Sequence, residues 1–82
     1  MKGYYVYAIK SSKDGRIYVG LSANPTKRLT EHNEGDTKST KGYRPWTLVY
    51  EKYIGSRIEA RKEEKKLKSG YGKEFLKQII PR

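Results

Sequence analysis

Apolar and aromatic positions near the start of the chain alternate with a period of two, the mark of a strand with two distinct faces. From Tyr4 to Lys10, the side chains of Tyr5, Tyr7 and Ile9 point one way and those of Tyr4, Val6 and Ala8 the other. Ser11-Ser12-Lys13-Asp14-Gly15 is turn chemistry, with Asp14-Gly15 its strongest hairpin signal. Arg16 to Leu21 reads as the returning strand. A loop of two or four residues centred on Asp14-Gly15 makes paired residue numbers sum to 29. Tyr18 then shares a face with Tyr7, whereas a loop of three or five residues separates them.

Beyond the hairpin the period changes. Asn24-Pro25 opens a helix, Asn24 as N-cap and Pro25 at the first helical position, where its missing N–H costs nothing. This helix carries Lys27, Arg28, Leu29 and His32 and ends near Asn33 to Gly35. Asp36 to Tyr43 is polar and basic, a loop or a short irregular helix. Pro45 leads into a third strand, Thr47 to Tyr53, with Leu48, Val49 and Tyr50 at its centre. Ser56-Arg57-Ile58-Glu59 is a capping box, so a helix starts there; it runs to about Ser69 and stops at Gly70. Ala60, Glu64 and Leu67 form one face of it. A last amphipathic segment, Lys73 to Ile80, offers Phe75, Leu76, Ile79 and Ile80 to the core, and Pro81 ends it. The order β-β-α-β-α-α predicts an α+β fold, a small, mainly antiparallel three-stranded sheet flanked by helices. The pattern leaves open how the third strand pairs. With no repeat or linker, residues 1–82 are expected to form a single domain.

Size makes that core small, since a domain of this length buries only about 60% of its unfolded surface. Only 34% of residues are hydrophobic, and eight of all residues are tyrosines. A tyrosine fills a core with its ring while its hydroxyl reaches a polar cleft, so a tyrosine-rich core also suits the lining of a site. Nineteen Lys and Arg against nine acids give a formal charge of +10, a field that favours polyanions and nucleic acid first among them. The basic segments lack a strongly apolar opposite face, which argues against a membrane surface. No cysteine is present and His32 is the only histidine, which excludes disulfides, thiolate metal sites and histidine-rich zinc sites. The run from Gly3 to Ile9 is too short and too rich in tyrosine for a signal peptide, and no stretch is apolar enough to span a membrane. The expectation is a soluble cytoplasmic protein.

Three features could carry chemistry. Glu64 faces inward on a helix otherwise coated in lysine, which fits either an ordinary ion pair or a metal ligand. Magnesium is often held by one or two carboxylates with phosphate and water completing its shell. Tyr7 beside Tyr18, with Gly20 further along the strand, fits core packing or a hydroxyl that positions or activates water. A tyrosine base near neutrality must have its pKa lowered by ~3 units, roughly 4 kcal/mol of preferential stabilisation of the phenolate. Arg28 and His32, four residues apart, share one helix face. They fit a solvated basic surface or a phosphate grip with an acid–base group beside it.

The spacing of the elements brings these features together. Tyr5-Val6-Tyr7, Tyr18-Val19-Gly20 and the helix Asn24-Pro25-Thr26-Lys27-Arg28-Leu29-Thr30-Glu31-His32 resemble the signature of the GIY-YIG nuclease superfamily. Ser39 to Trp46, Leu48-Val49-Tyr50, Glu59-Ala60 and Glu64-Lys65 are similar to its small stand-alone bacterial branch, and the resemblance covers nearly the whole chain. It implies a DNA endonuclease using one divalent metal ion, Mg2+ or Mn2+, acting on branched or damaged structures in repair or recombination. By that resemblance Tyr7 is the general base or water-orienting group, and Tyr18 helps to position the water or the phosphate. Gly20 is the motif glycine, Arg28 steadies phosphate charge, and His32 is the histidine found beside it in part of the superfamily. Glu64 is the metal ligand, with Glu63 the alternative if the alignment slips by one. Lys27, Arg28, Lys38, Lys41 and Arg44 are the expected nucleic-acid contacts. The first motif reads Tyr-Val-Tyr in place of Gly-Ile-Tyr. The asparagine that follows the metal-binding glutamate in many members has no counterpart, since no asparagine follows Asn33. The alternatives are a nucleic-acid-binding protein with a weakened or inactive site, and an interaction module in which these residues only pack. DNA is the expected partner, with RNA left open, and the chain is expected to act as a monomer or homodimer without base-specific reading.

Overall fold

The computed structural model describes residues 3–80. Its elements are β1 (Tyr4–Ser11), β2 (Ile17–Ser22), α1 (Pro25–Glu34), α2 (Lys38–Lys41), β3 (Trp46–Gly55), α3 (Arg57–Lys68) and α4 (Gly70–Ile79). The fold is α+β, with one antiparallel sheet in the order β2-β1-β3. The third strand thus pairs with β1 and not with β2. The polar stretch before it supplies one short helix, α2, making the order β-β-α-α-β-α-α.

The hairpin turns one residue earlier than its Asp14-Gly15 signal suggests. Tyr7 pairs with Gly20 and Ile9 with Tyr18, so paired numbers sum to 27. The loop has four residues, Ser12 to Gly15, held by the Ser11 hydroxyl, which accepts from the backbone N–H groups of Lys13 and Asp14. Gly15 closes it at φ 80°, where a Cβ is disfavoured, so the glycine marks the end of the turn and not its middle. The shift preserves parity, and Tyr7 and Tyr18 do share a face.

Two small cores lie on opposite faces of the sheet. Val6, Ala8 and Val19 pack against Ala60, Leu67 and Leu76 of α3 and α4. Tyr7, Ile9 and Trp46 form the other core, with Tyr18, Leu29, Tyr43 and Leu48 against it. In β3, pairing jumps from Ile9↔Leu48 to Ala8↔Tyr50, leaving Val49 as the extra residue of a bulge. Without it, Leu48 and Tyr50 would share a face. With it, Leu48 joins Tyr7 and Ile9 while Val49 and Tyr50 join the opposite core.

Helix ends follow local chemistry. The Asn24 side chain accepts from the Lys27 N–H, Ser56 from Glu59, and Gly35 closes α1 at φ 86°. Gly70, expected to stop α3, instead opens α4. Ser69 ends one helix and caps the next, accepting from the Gly72 N–H. Leu76 is buried, but Ile79 is 43% exposed, so the last helix commits less of its apolar side to the core than its sequence offers. Pro81, expected to end that helix, lies outside the described residues.

The tight α3–α4 corner gives opposite forecasts for two neighbouring glycines. A Cβ on Gly72 would run into the Leu67 backbone, which cannot move aside, whereas Gly70 has open space around it. Gly72→Ala should destabilise the fold by about 1–3 kcal/mol in urea unfolding, while Gly70→Ala should leave it unchanged or raise it by less than about 1 kcal/mol.

Candidate active site

The centre of the site is a chain of hydrogen bonds under α1. Tyr7 is 1% exposed and His32 0%, and the Tyr7 hydroxyl lies 3.0 Å from His32 Nε2. On the other side of the imidazole, Nδ1 lies 2.8 Å from the Thr40 hydroxyl. That hydroxyl donates to the Thr37 carbonyl at 3.3 Å. Having given its proton there, it accepts from Nδ1–H, which leaves Nε2 with the lone pair to accept from Tyr7. One tautomer therefore satisfies every group, and no buried side-chain polar atom lacks a partner among the described residues.

Neighbouring residues hold this chain in place. Gly20 stands opposite Tyr7, and a Cβ there would lie 2.7 Å from the Tyr7 hydroxyl oxygen, so the absent side chain makes room for the phenol. Asn33 clamps α1 to β3, accepting from the Trp46 N–H at 2.6 Å and donating to the Trp46 carbonyl at 3.0 Å. Trp46 Nε1 in turn donates to the Thr40 carbonyl at 2.9 Å, fixing α2 under the imidazole. The Tyr18 ring meets the His32 ring edge-on, with centroids 5.1 Å apart.

Electrostatics define what the resting site is. Burial pushes the Tyr7 phenol up to about 12, reinforced by Tyr18 and partly offset by the Arg28 guanidinium beside it. Burial also holds His32 below its usual value, and the positive charge of Arg28 adds to that effect. A neutral phenol thus donates to a neutral imidazole. Arg28 is half-buried and bound to Glu31 at 2.8 Å, which raises its own pKa further and keeps it charged.

Glu64 enters from the other layer. It is 8% exposed on α3, with Lys68 at 3.2 Å and Arg61 at 3.7 Å from its carboxylate. Its charge nevertheless raises the Tyr7 hydroxyl, though it is the smallest of the influences there. Glu63, the alternative, instead weighs on Tyr50 of β3. The structure therefore brings Tyr7, Tyr18, Gly20, Arg28 and His32 together, with Glu64 near enough to influence Tyr7. Lys27, Lys38, Lys41 and Arg44 are exposed on and just after α1 and α2, and Arg44 also donates to the Lys41 carbonyl at 2.8 Å. Sequence reasoning missed Thr40 and Asn33 as supports of the imidazole. Thr40 sits in a polar stretch with no periodicity, and nothing in it foretells a buried hydroxyl.

These features sit in one small α+β domain, a three-stranded antiparallel sheet bearing Tyr7, Tyr18 and Gly20, with Arg28 and His32 on the following helix and an inward Glu64. The GIY-YIG catalytic domain family matches residues 3–78, and the chain belongs to it. Among its relatives are UPF0213 proteins of Staphylococcus haemolyticus, 37% identical over the full length of both chains, and of Staphylococcus saprophyticus, 38% identical over 96% of each. The solution NMR structure of the UPF0213 protein BH0048 from Bacillus halodurans superposes with a TM-score of 0.56 at 31% identity, covering 94% of this chain and 84% of that one.

The depressed pKa of His32 makes stability depend on pH in a defined direction. Between its folded value and about 6.5 the unfolded chain binds the extra proton, so stability falls as pH drops through that window. Urea midpoints measured from pH 7.5 to 5 should decline, and His32→Gln should flatten that decline. An equal slope in both proteins would show that His32 is not held neutral.

Proposed function

We propose that this protein is a divalent-metal-dependent endonuclease that hydrolyses DNA phosphodiester bonds, with structure-specific nicking in repair or recombination as its cytoplasmic role. The observation that carries this reading is the buried Tyr7 hydroxyl bonded at 3.0 Å to His32 Nε2. Any buried phenol needs a hydrogen-bond partner, and here that partner is a neutral imidazole, the kind of group that can take up its proton.

The pKa of Tyr7 decides how it acts. Burial holds the Tyr7 phenol up at about 12, so in the resting site it carries its proton and donates it towards His32. Tyr7 works as a relay. With substrate bound and a water brought against its oxygen, Tyr7 accepts a proton from that water as its own proton passes to His32 Nε2. The hydroxide so formed attacks phosphorus as the opposite P–O bond breaks, and the departing oxygen leaves with the electron pair and takes a proton from solvent. Arg28 opposes a charged imidazolium until a phosphate binds against it. Phosphate binding offsets that charge, which ties proton transfer to the presence of substrate. Arg28 also steadies the charge that builds on the phosphate oxygens in the transition state. Tyr18, packed edge-on against His32, holds the ring and lines the approach to it.

The residues fit a hard divalent cation. The inward Glu64 carboxylate, close enough to act on the Tyr7 hydroxyl, is the type of ligand such an ion takes together with substrate phosphate and water. Glu64 would hold it, and Mg2+ or Mn2+ there would supply positive charge to the phosphate oxygens. A single such site cuts one strand at a time, so a double-strand break needs two encounters or two copies. A second reading, a nucleic-acid-binding protein with a weakened site, is favoured by the two cations already on Glu64.

Purified protein incubated with plasmid, single-stranded and branched DNA separates these readings. Cleavage should require Mg2+ or Mn2+, fall by at least about 100-fold in Tyr7→Phe, and disappear in Glu64→Gln. Equal cleavage by wild type and both variants would sink the enzyme reading, and salt-sensitive binding without cleavage would establish the second one.

A further inference from the structure

The expected nucleic-acid contacts lie along α1 and α2, but a second basic feature lies elsewhere. An open groove of about 1030 Å³ runs between the hairpin end of the sheet and the α3–α4 corner. Its cations are Lys10, Arg16, Lys68, Lys73 and Lys77, and no acidic side chain lines it among the described residues. Its floor is apolar, made by Ile17, Val19, Leu67, Leu76 and Ile80. The groove wraps the edge strand β2, taking in residues from both faces of the sheet, since Val19 belongs to one core and Tyr18 packs against the other.

We propose that this groove binds the sugar-phosphate backbone of a nucleic-acid strand and leads it to the catalytic end of the molecule. The proposal rests on the nuclease reading for the identity of the polyanion. Two residues connect the groove to the site. Tyr18 lines the groove and also packs against His32 with centroids 5.1 Å apart. Lys68 lines it and also holds the Glu64 carboxylate at 3.2 Å. A phosphate arriving at that end competes for Lys68 and releases Glu64 from one of its two cations.

Charge and floor together select the occupant. Five cations meet three carboxylates, Asp14 on Arg16, Glu64 on Lys68 and Glu74 on Lys77, an excess of positive charge that favours a polyanion, and the exposed Lys77–Glu74 pair is one that a phosphate replaces at little cost. Bare phosphate would leave the apolar floor unused, whereas a nucleic-acid strand sets sugar and base surface against it.

Anisotropy titrations of a fluorescently labelled oligodeoxynucleotide, as duplex and as single strand, test this in EDTA so that no cleavage intervenes. Lys73→Ala/Lys77→Ala removes two groove charges from exposed helix positions. Lys52→Ala/Lys65→Ala removes two exposed charges outside the groove and serves as the control, with circular dichroism confirming the fold of both. The groove pair should weaken binding and reduce the slope of log K against log salt by about 1.8 on duplex, or about 1.4 on single strand. The control pair should leave the slope near that of wild type. Equal losses in the two pairs would mean that only overall charge matters and would overturn the proposal. Wild-type binding by the groove pair would overturn it while leaving the nuclease reading intact, and no salt-sensitive binding by any of the proteins would overturn both. Groove-dependent binding of polyglutamate in preference to the oligonucleotide would assign the groove to an acidic protein segment and overturn it as well.

Discussion

The hydrogen bond between the Tyr7 hydroxyl and His32 Nε2 is the interaction on which the rest of the molecule depends. In the resting site both groups are buried, so each relies on the other, and an unpaired phenol or imidazole there would cost about 1–3 kcal/mol. Once made, the bond fixes the relation of β1 to α1, because the two residues stand 25 positions apart in the chain. It also fixes the chemistry. Burial that raises the phenol and lowers the imidazole keeps both neutral, and a neutral donor beside a neutral acceptor is a proton path waiting for a charge to arrive.

The fold meets this requirement at several points. Gly20 gives up a side chain so that the phenol can lie across β2, and the bulge at Val49 lets one strand feed both cores without spoiling either. Asn33 and Trp46 lock α1 to β3 and α2, which places Thr40 under the imidazole. These are small polar devices in a protein whose two apolar cores are each only a few side chains deep. In so small a domain, the site's hydrogen bonds and the fold's stability are largely the same set of contacts.

Much of this was legible in the sequence where the signal is local. Asn24-Pro25 and the Ser56 capping box named their helices because caps satisfy backbone groups within three residues. The period of two in β1 and β2 left two outcomes for Tyr7 and Tyr18, and the four-residue loop is the one that puts them on one face, though the turn sits one residue earlier than its dipeptide suggests. Parity survives such a shift. What stayed hidden depends on partners far away in the chain. The pairing of β3 with β1, the bulge at Val49 and the burial of Thr40 are set by tertiary packing and leave no periodic trace. Gly70 misled for the same reason. A glycine after a lysine-rich helix reads as a stop, but Ser69 already ends α3 and caps α4, so Gly70 begins the next helix. Glu64 was found by its inward position, and its pairs with Arg61 and Lys68, three residues before and four after it on the same helix, are the ordinary ion pairing that the sequence already allowed.

The central claim is that His32 is neutral, with its proton on Nδ1 and its Nε2 lone pair turned to Tyr7. Long-range proton–nitrogen NMR correlations of the imidazole read this directly, because protonated and bare ring nitrogens give well-separated signals. At neutral pH the account predicts a single Nδ1–H tautomer in the wild type. A ring protonated on Nε2, or an imidazolium with both nitrogens protonated, would contradict it.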